Sequence, residues 1–114
     1  MSKYLSLDTE ATGLEEHCLL IQVAVVPVDG SKNLILRELG KEVLIQCPSF
    51  EILKPTLSEW VITHNETLIR KAHAEGMAPQ AFAQWLSEYL NSEKVKAFFG
   101  NERPLLLGKS LSAL

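Results

Sequence analysis

The segment from Cys18 to Val28 is a long apolar run rich in β-branched residues, interrupted by Gln22 and closed by Asp29-Gly30-Ser31-Lys32. Branched side chains pack well on a pleated surface, and a Gly-containing polar turn at the end of such a run sends the chain back on itself. A hairpin is therefore expected, with its second strand over about residues 33–46. Pro27 lacks a backbone donor, so it fits a strand end or an edge better than a central ladder position. The stretch Lys3 to Asp8 reads as a strand ahead of the hairpin, bounded by Thr12-Gly13 and the charged Glu15-Glu16-His17. Together these segments predict an antiparallel meander of three strands.

After Cys47-Pro48 the pattern becomes less regular, with a short turn of helix expected over Leu57 to Val61 ahead of Thr63-His64-Asn65. Leu68, Ile69, Ala72 and Met77 are spaced for an amphipathic helix over about 66–74, ended by Gly76. A stronger helix begins at Pro79, where Phe82, Trp85, Leu86, Tyr89 and Leu90 recur at helical spacing behind a proline in its favoured first-turn position. That stripe is packing surface. Leu105-Leu106-Leu107-Gly108 reads as a buried strand of a parallel or mixed sheet, and Ser110 stands where it can cap a following helix.

Function is most legible where the first strand pattern meets two carboxylates, Asp8 and Glu10, one residue apart. Side chains two apart on a strand share a face, so this pair points one way. Converging carboxylates call for a cation between them, and Mg²⁺ or Mn²⁺ is the hard ion that oxygen ligands suit. Metal-dependent phosphate chemistry is the first expectation. The formal net charge of −3 excludes a broadly basic surface for duplex nucleic acid. A polyanion would have to be held locally, and a bound divalent ion does this.

The 114 residues are expected to form one domain, 1–114. A hydrophobic fraction of 46% with 22% charged residues is that of a soluble globular chain. No run suits a membrane span and no secretory signal is evident, so a cytoplasmic location with no membrane partner is expected. Cys18 and Cys47 do not form a CxxC pair and are expected as reduced, buried thiols; the alternative is a cross-strand pair, since each lies near an end of the predicted hairpin.

The segment Leu-Asp-Thr-Glu-Ala-Thr-Gly-Leu (7–14) resembles the first exonuclease motif of the DEDD (DnaQ-like) 3′-5′ exonucleases, in which a strand ends in Asp-x-Glu followed by Thr-Gly-Leu. Cys-Leu-Leu-Ile-Gln-Val-Ala-Val-Val is similar to the family's second strand, with Gln22 where a Glu is usual. The order and spacing of Trp60, Thr63-His64, the Leu68-Ile69 helix, the Phe82–Leu90 helix and Pro-Leu-Leu-Leu-Gly-Lys-Ser resemble the oligoribonuclease branch. The resemblance implies an α/β ribonuclease-H-like mixed sheet: an antiparallel three-strand meander, packed helices, and a fourth strand beside the first, with the C-terminal part of the fold missing.

It further implies hydrolysis of phosphodiesters in short single-stranded RNA or DNA by two divalent ions, with Asp8 bridging both and Glu10 holding one. Backbone at Thr12, Gly13 and Leu14 would lie against the terminal nucleotide, Leu14 wedging beneath its base; equally, Gly13 is a turn residue and Leu14 a core residue. Trp60 is a candidate for base stacking and His64 for substrate contact, against surface or capping roles; Trp85, His17 and His73 are assigned to core and solvated positions. Gly108-Lys109-Ser110 departs from the family's usual Gly-Asn-Ser or Gly-His-Asn, and the later carboxylates and general base are missing.

This chain is therefore expected to be inactive alone, to expose apolar surface, and to self-associate as a dimer or larger assembly. A second reading is a truncated or degenerate domain that binds nucleotide or protein without catalysis. A third is a haloacid-dehalogenase-type phosphatase with Asp8 as nucleophile, which Asp8-Thr9-Glu10-Ala11-Thr12 partly imitates.

Overall fold

A computed structural model describes residues 3–13, 15, 18–102 and, by backbone alone, 105–110. Its centre is the antiparallel pair β1 (Lys3–Ala11) and β2 (Leu20–Asp29), in register from Lys3↔Asp29 to Glu10↔Gln22. β3 (Leu34–Ile35) and β4 (Lys41–Leu44) pair with the outer side of β2, and β5 (Leu105–Ser110) runs parallel to β1 on the other side. The described strands thus form a mixed sheet in the order β3-β2-β1-β5, with β4 also on β2. This is the expected meander with a parallel strand beside the first.

Strand alternation sorts β1 and β2 into two faces. Leu5 with Pro27, Leu7 with Val25 and Thr9 with Val23 share one face; Ser6 with Val26, Asp8 with Ala24 and Glu10 with Gln22 share the other. The helices settle on the first. There Leu5, Val23 and Val25 are buried against Tyr89 of α3 (Pro79–Leu90) and against Val95 and Phe99 of α4 (Glu93–Phe99). Ile21, on the same face, is buried with Phe50 of α1 (Phe50–Leu53) and with Val61, Ile69 and Ala72 of α2 (Glu59–Glu75). Burying each large aliphatic side chain contributes about 1.5–3 kcal/mol.

The aromatic stripe of α3 packs as its spacing predicts. Phe82 stacks on Trp85 at 6.0 Å and Trp85 on Tyr89 at 5.5 Å. Tyr89 also donates its hydroxyl to Leu39 O at 2.7 Å, tying α3 to a segment fifty residues away.

Three expectations are corrected. The outer strand over 33–46 is interrupted by a 3₁₀ turn at Arg37–Leu39, and Pro27 explains the break. Leu36 N donates to Pro27 O at 3.0 Å, but Pro27 has no N–H to return, so Leu36 O instead accepts from Leu39 N at 3.0 Å and closes the turn. Pro27 therefore sits inside an interior strand, at the gap in its outer ladder, rather than at an edge. Second, α2 begins at Glu59, not near 66, because the Ser58 hydroxyl accepts from Val61 N at 3.2 Å and caps it there. Leu57 precedes that cap, following a 3₁₀ turn at Lys54–Thr56, and Thr63-His64-Asn65 lie within the helix. Third, α4 was not anticipated; a helix of seven residues carries too few repeats of Val95 and Phe99 to show a period.

β1 also runs three residues beyond the expected Asp8. Ser110 ends β5, and residues 111–114 lie outside the described residues. No helix among the described residues is long and apolar enough to cross a membrane.

Gly76 joins α2 to the sheet. Gln46 N donates to Met77 O at 2.7 Å and Met77 N to Leu44 O at 2.9 Å, so the chain leaves the helix directly along the end of β4. A Cβ at Gly76 would stand 2.5 Å from both Ala72 O and Gln46 N. Its φ of −70° suits any residue, so the constraint is contact alone. Gly76→Ala is expected to cost about 1–3 kcal/mol, read as a lowered urea midpoint with unchanged m.

The hairpin turn is held by Asp29, whose Oδ1 accepts from Ser31 Oγ at 2.8 Å and Ser31 N at 3.2 Å. The left-handed residue there is Asn33, at φ 51°. The Ser31 hydroxyl, with the Lys32 and Ser31 amides, lowers the Asp29 pKa. A depressed carboxyl pKa gives stability that is full above the unfolded value of about 3.9 and is lost as pH falls through the folded one. Thermal unfolding between pH 5 and 2 should show a larger drop in Tm for the wild type than for Asp29→Asn.

Candidate metal and nucleotide site

Asp8 and Glu10 both lie within β1, two residues apart, with Cα atoms about 7 Å apart on the sheet face that the helices leave uncovered. Asp8 is exposed and Glu10 half-buried, so water reaches both carboxylates. Ala24 faces Asp8 and Gln22 faces Glu10 across β2, while on the other side the backbone of Lys109 is in register with Asp8. β1 is thus flanked on both sides at Asp8 and by β2 at Glu10, and side chains rooted there have a defined direction.

Immediately after Glu10 the register shifts: Glu10 faces Gln22, but Ala11 faces Leu20. Ile21 occupies the bulge, fully buried under Val61 and Ile69 of α2. A bulge adds twist and re-aims the chain beyond it. That turn delivers Thr12, which is buried and makes a reciprocal clasp: its N donates to Leu19 O, and its Oγ1 accepts from Leu19 N, both at 2.8 Å. The loop 13–18 is closed at its neck.

Inside the loop, Cys18 N donates to Glu15 O at 3.0 Å, and the Cys18 thiol lies where a Cβ on Gly13 would come within 2.6 Å of Sγ. A Cβ at Gly13 would have to displace the Cys18 side chain. Thr12 N–H is committed to Leu19, so the role the geometry gives Thr12 is closure of the loop. Leu14 and His17 lie outside the described residues.

Trp60 and His64 form a second feature on the outward side of α2. The rings stack at 4.4 Å with 18° between their planes, and His64 Nδ1 lies 2.8 Å from Trp60 O. A carbonyl only accepts, so Nδ1 carries a proton and donates it to Trp60 O. Trp60 is 52% exposed. The pair makes no hydrogen bond or ring contact to Asp8, Glu10, Thr12 or Gly13 among the described residues.

His73 is anchored, not simply solvated: its Nδ1 bonds Cys47 O at 2.8 Å, and Gln46 Nε2 donates to His73 O at 3.2 Å. Cys18 and Cys47 are free thiols. Burial raises the Cys47 pKa, which keeps it a packing group.

Asn65 was missed as a buried residue. It lies between Val61 and Ile69 on the inward stripe of α2, and its Nδ2 has no partner among the described residues. The four-residue spacing 61-65-69 becomes readable only once the helix is started at Ser58.

Chemically, the face offers two carboxylates to a hard cation. No group of three or more His, Cys, Asp or Glu side chains gathers to hold a metal among the described residues. Asp8 and Glu10 fit one wall of such a site.

No protein-family model and no curated protein sequence matches the chain. Among solved structures, the chain is similar to cell-death related nuclease 4 (CRN-4), with a TM-score of 0.63 and 16% identity over 96% of this chain. It spans 35% of the length of that nuclease. The mixed sheet with its covered and open faces is a ribonuclease-H-like, nuclease-type fold.

Proposed function

We propose that this chain carries the metal- and nucleotide-binding half of a 3′-5′ exonuclease site of the oligoribonuclease type, acting on short single-stranded RNA or DNA. The observation that carries the proposal is the placement of Asp8 and Glu10 on the open face of β1, next to a bulge and a clasped loop, in a nuclease-type sheet. Divalent metal, when bound, supplies positive charge at the phosphate and a lowered pKa for the attacking water. Asp8 and Glu10 would hold Mg²⁺ or Mn²⁺.

This chain's own residues then orient the substrate. The clasp at Thr12 fixes Gly13, whose backbone would lie with that of Leu14 against the terminal nucleotide, and water-exposed Asp8 lets the phosphate approach from the open face. The Trp60–His64 stack offers a flat ring surface, a suitable platform for a base. Among the described residues Asp8 and Glu10 gather with no third His, Cys, Asp or Glu ligand, so binding without turnover is the behaviour we assign to this chain on its own.

Titration of ¹⁵N-labelled protein with Mn²⁺ should broaden the amides of residues 7–12 first. Asp8→Asn or Glu10→Gln should weaken that broadening about tenfold or more, in the range found when a metal's protein environment is disturbed. Broadening that survives both substitutions would overturn the site. In a parallel assay a labelled oligonucleotide should remain intact with Mn²⁺; cleavage that Asp8→Ala abolishes would show that two carboxylates suffice.

A further inference from the structure

The residue directly across the ladder from Glu10 is Gln22, an uncharged side chain among acids. On the open face Asp8 stands beside Ala24 and Glu10 beside Gln22, and β4 continues these two rows with Glu42 and Leu44. Side chains directly opposite have Cβ atoms about 4.5–5.5 Å apart, and diagonal neighbours lie about 7–8 Å apart, within reach of a long side chain. Gln22 is thus opposite Glu10 and diagonal to both Asp8 and Glu42.

The direction of Gln22 is fixed from the helix side. Its neighbours in sequence, Ile21 and Val23, are both buried under the helices, so alternation turns Gln22 toward the open face, where it is half-buried. Ala24 and Leu44 offer its carboxamide no polar atom. The side chain makes no hydrogen bond among the described residues, so its oxygen and both its N–H groups are uncommitted there.

We infer that Gln22 is the third oxygen ligand on the wall formed by Asp8 and Glu10, presenting its side-chain carbonyl to the Mg²⁺ or Mn²⁺ that they hold. The inference rests on the metal reading of Asp8 and Glu10 and adds a ligand from a second strand. Hard dications accept amide carbonyl oxygens alongside carboxylates. A neutral ligand suits the place, because like charges directly opposite on a ladder destabilise it. A carboxylate at position 22 would face Glu10, with Asp8 and Glu42 diagonal to it. Gln22 supplies an oxygen without adding to those three negative charges. Rooted in β2, it also ties the cation to both strands of the central pair, whereas Asp8 and Glu10 hold it from β1 alone.

The test is a Mg²⁺ titration of the full chain, followed by ¹⁵N amide shifts, on the wild type, Gln22→Leu and Gln22→Glu. In the wild type the side-chain amide of Gln22, assigned through the bonds to its own backbone, should move with the same apparent Kd as the backbone amides of residues 7–12. Gln22→Leu should weaken Mg²⁺ binding about tenfold, the lower end of what disturbing a metal's surroundings costs, while its Tm without metal stays at or above that of the wild type. Gln22→Glu should reverse both effects, binding Mg²⁺ more tightly and melting lower without it. A glutamine that only packs the sheet would give the opposite pattern for Gln22→Leu, a lower Tm with unchanged affinity.

A Gln22 side-chain signal that stays still in the wild type, or Gln22→Leu binding Mg²⁺ as tightly as the wild type, overturns the ligand role and leaves Asp8 and Glu10 standing. If Asp8→Asn and Glu10→Gln also bind Mg²⁺ as the wild type does, the metal reading fails and the role of Gln22 with it. The side-chain signal is read on the wild type, so the outcome does not depend on either variant folding.

Discussion

The rest of the molecule depends on the antiparallel pairing of β1 with β2. Because paired residues share a face, that one ladder divides the two strands into a row of Leu5, Val23 and Val25 and a row of Ser6, Asp8 and Glu10. The first row is apolar and draws every described helix onto one side. The second stays open to water. Separation of core from chemistry follows from the period of two alone, and a one-residue slip of β1 would turn Asp8 and Glu10 to the helix side and lift Leu5 and Leu7 into solvent.

Helix packing in turn secures the register. Ile21 at the bulge is clamped by Val61 and Ile69, so the point where β1 re-aims toward Thr12 is set by α2. The clasp between Thr12 and Leu19 then fixes the loop. Backbone pairing orients both carboxylates, from both flanks at Asp8 and from β2 at Glu10.

What could be read in the sequence was whatever depends on local period or turn chemistry. The β2 run, the Asp29–Lys32 turn, the α3 stripe and the shared face of Asp8 and Glu10 all fall in that class. The start of α2 was hidden because Trp60, Thr63, His64 and Asn65 mix exposed and buried residues in its first turns, and only the Ser58 cap marks the boundary. The interrupted outer strand was hidden for another reason: the apolar residues Leu34, Ile35 and Leu36 favour a continuous strand, while the obstacle to it lies in Pro27, across the turn. The clasp at Thr12 is likewise a contact between residues seven apart with no shared pattern.

Pro27 has one more consequence. An outer strand paired to β2 through side chains as uniform as Leu34, Ile35 and Leu36 has little to distinguish its own register from one shifted by two residues. Every shifted alignment that runs a ladder straight across Pro27 asks for a donor its tertiary amide nitrogen does not have. The observed arrangement, in which the chain leaves the ladder at Leu36 and returns at Lys41, is the one that makes no such demand. A missing hydrogen atom thereby acts as a marker of position, telling the edge of this sheet where to begin and where to stop.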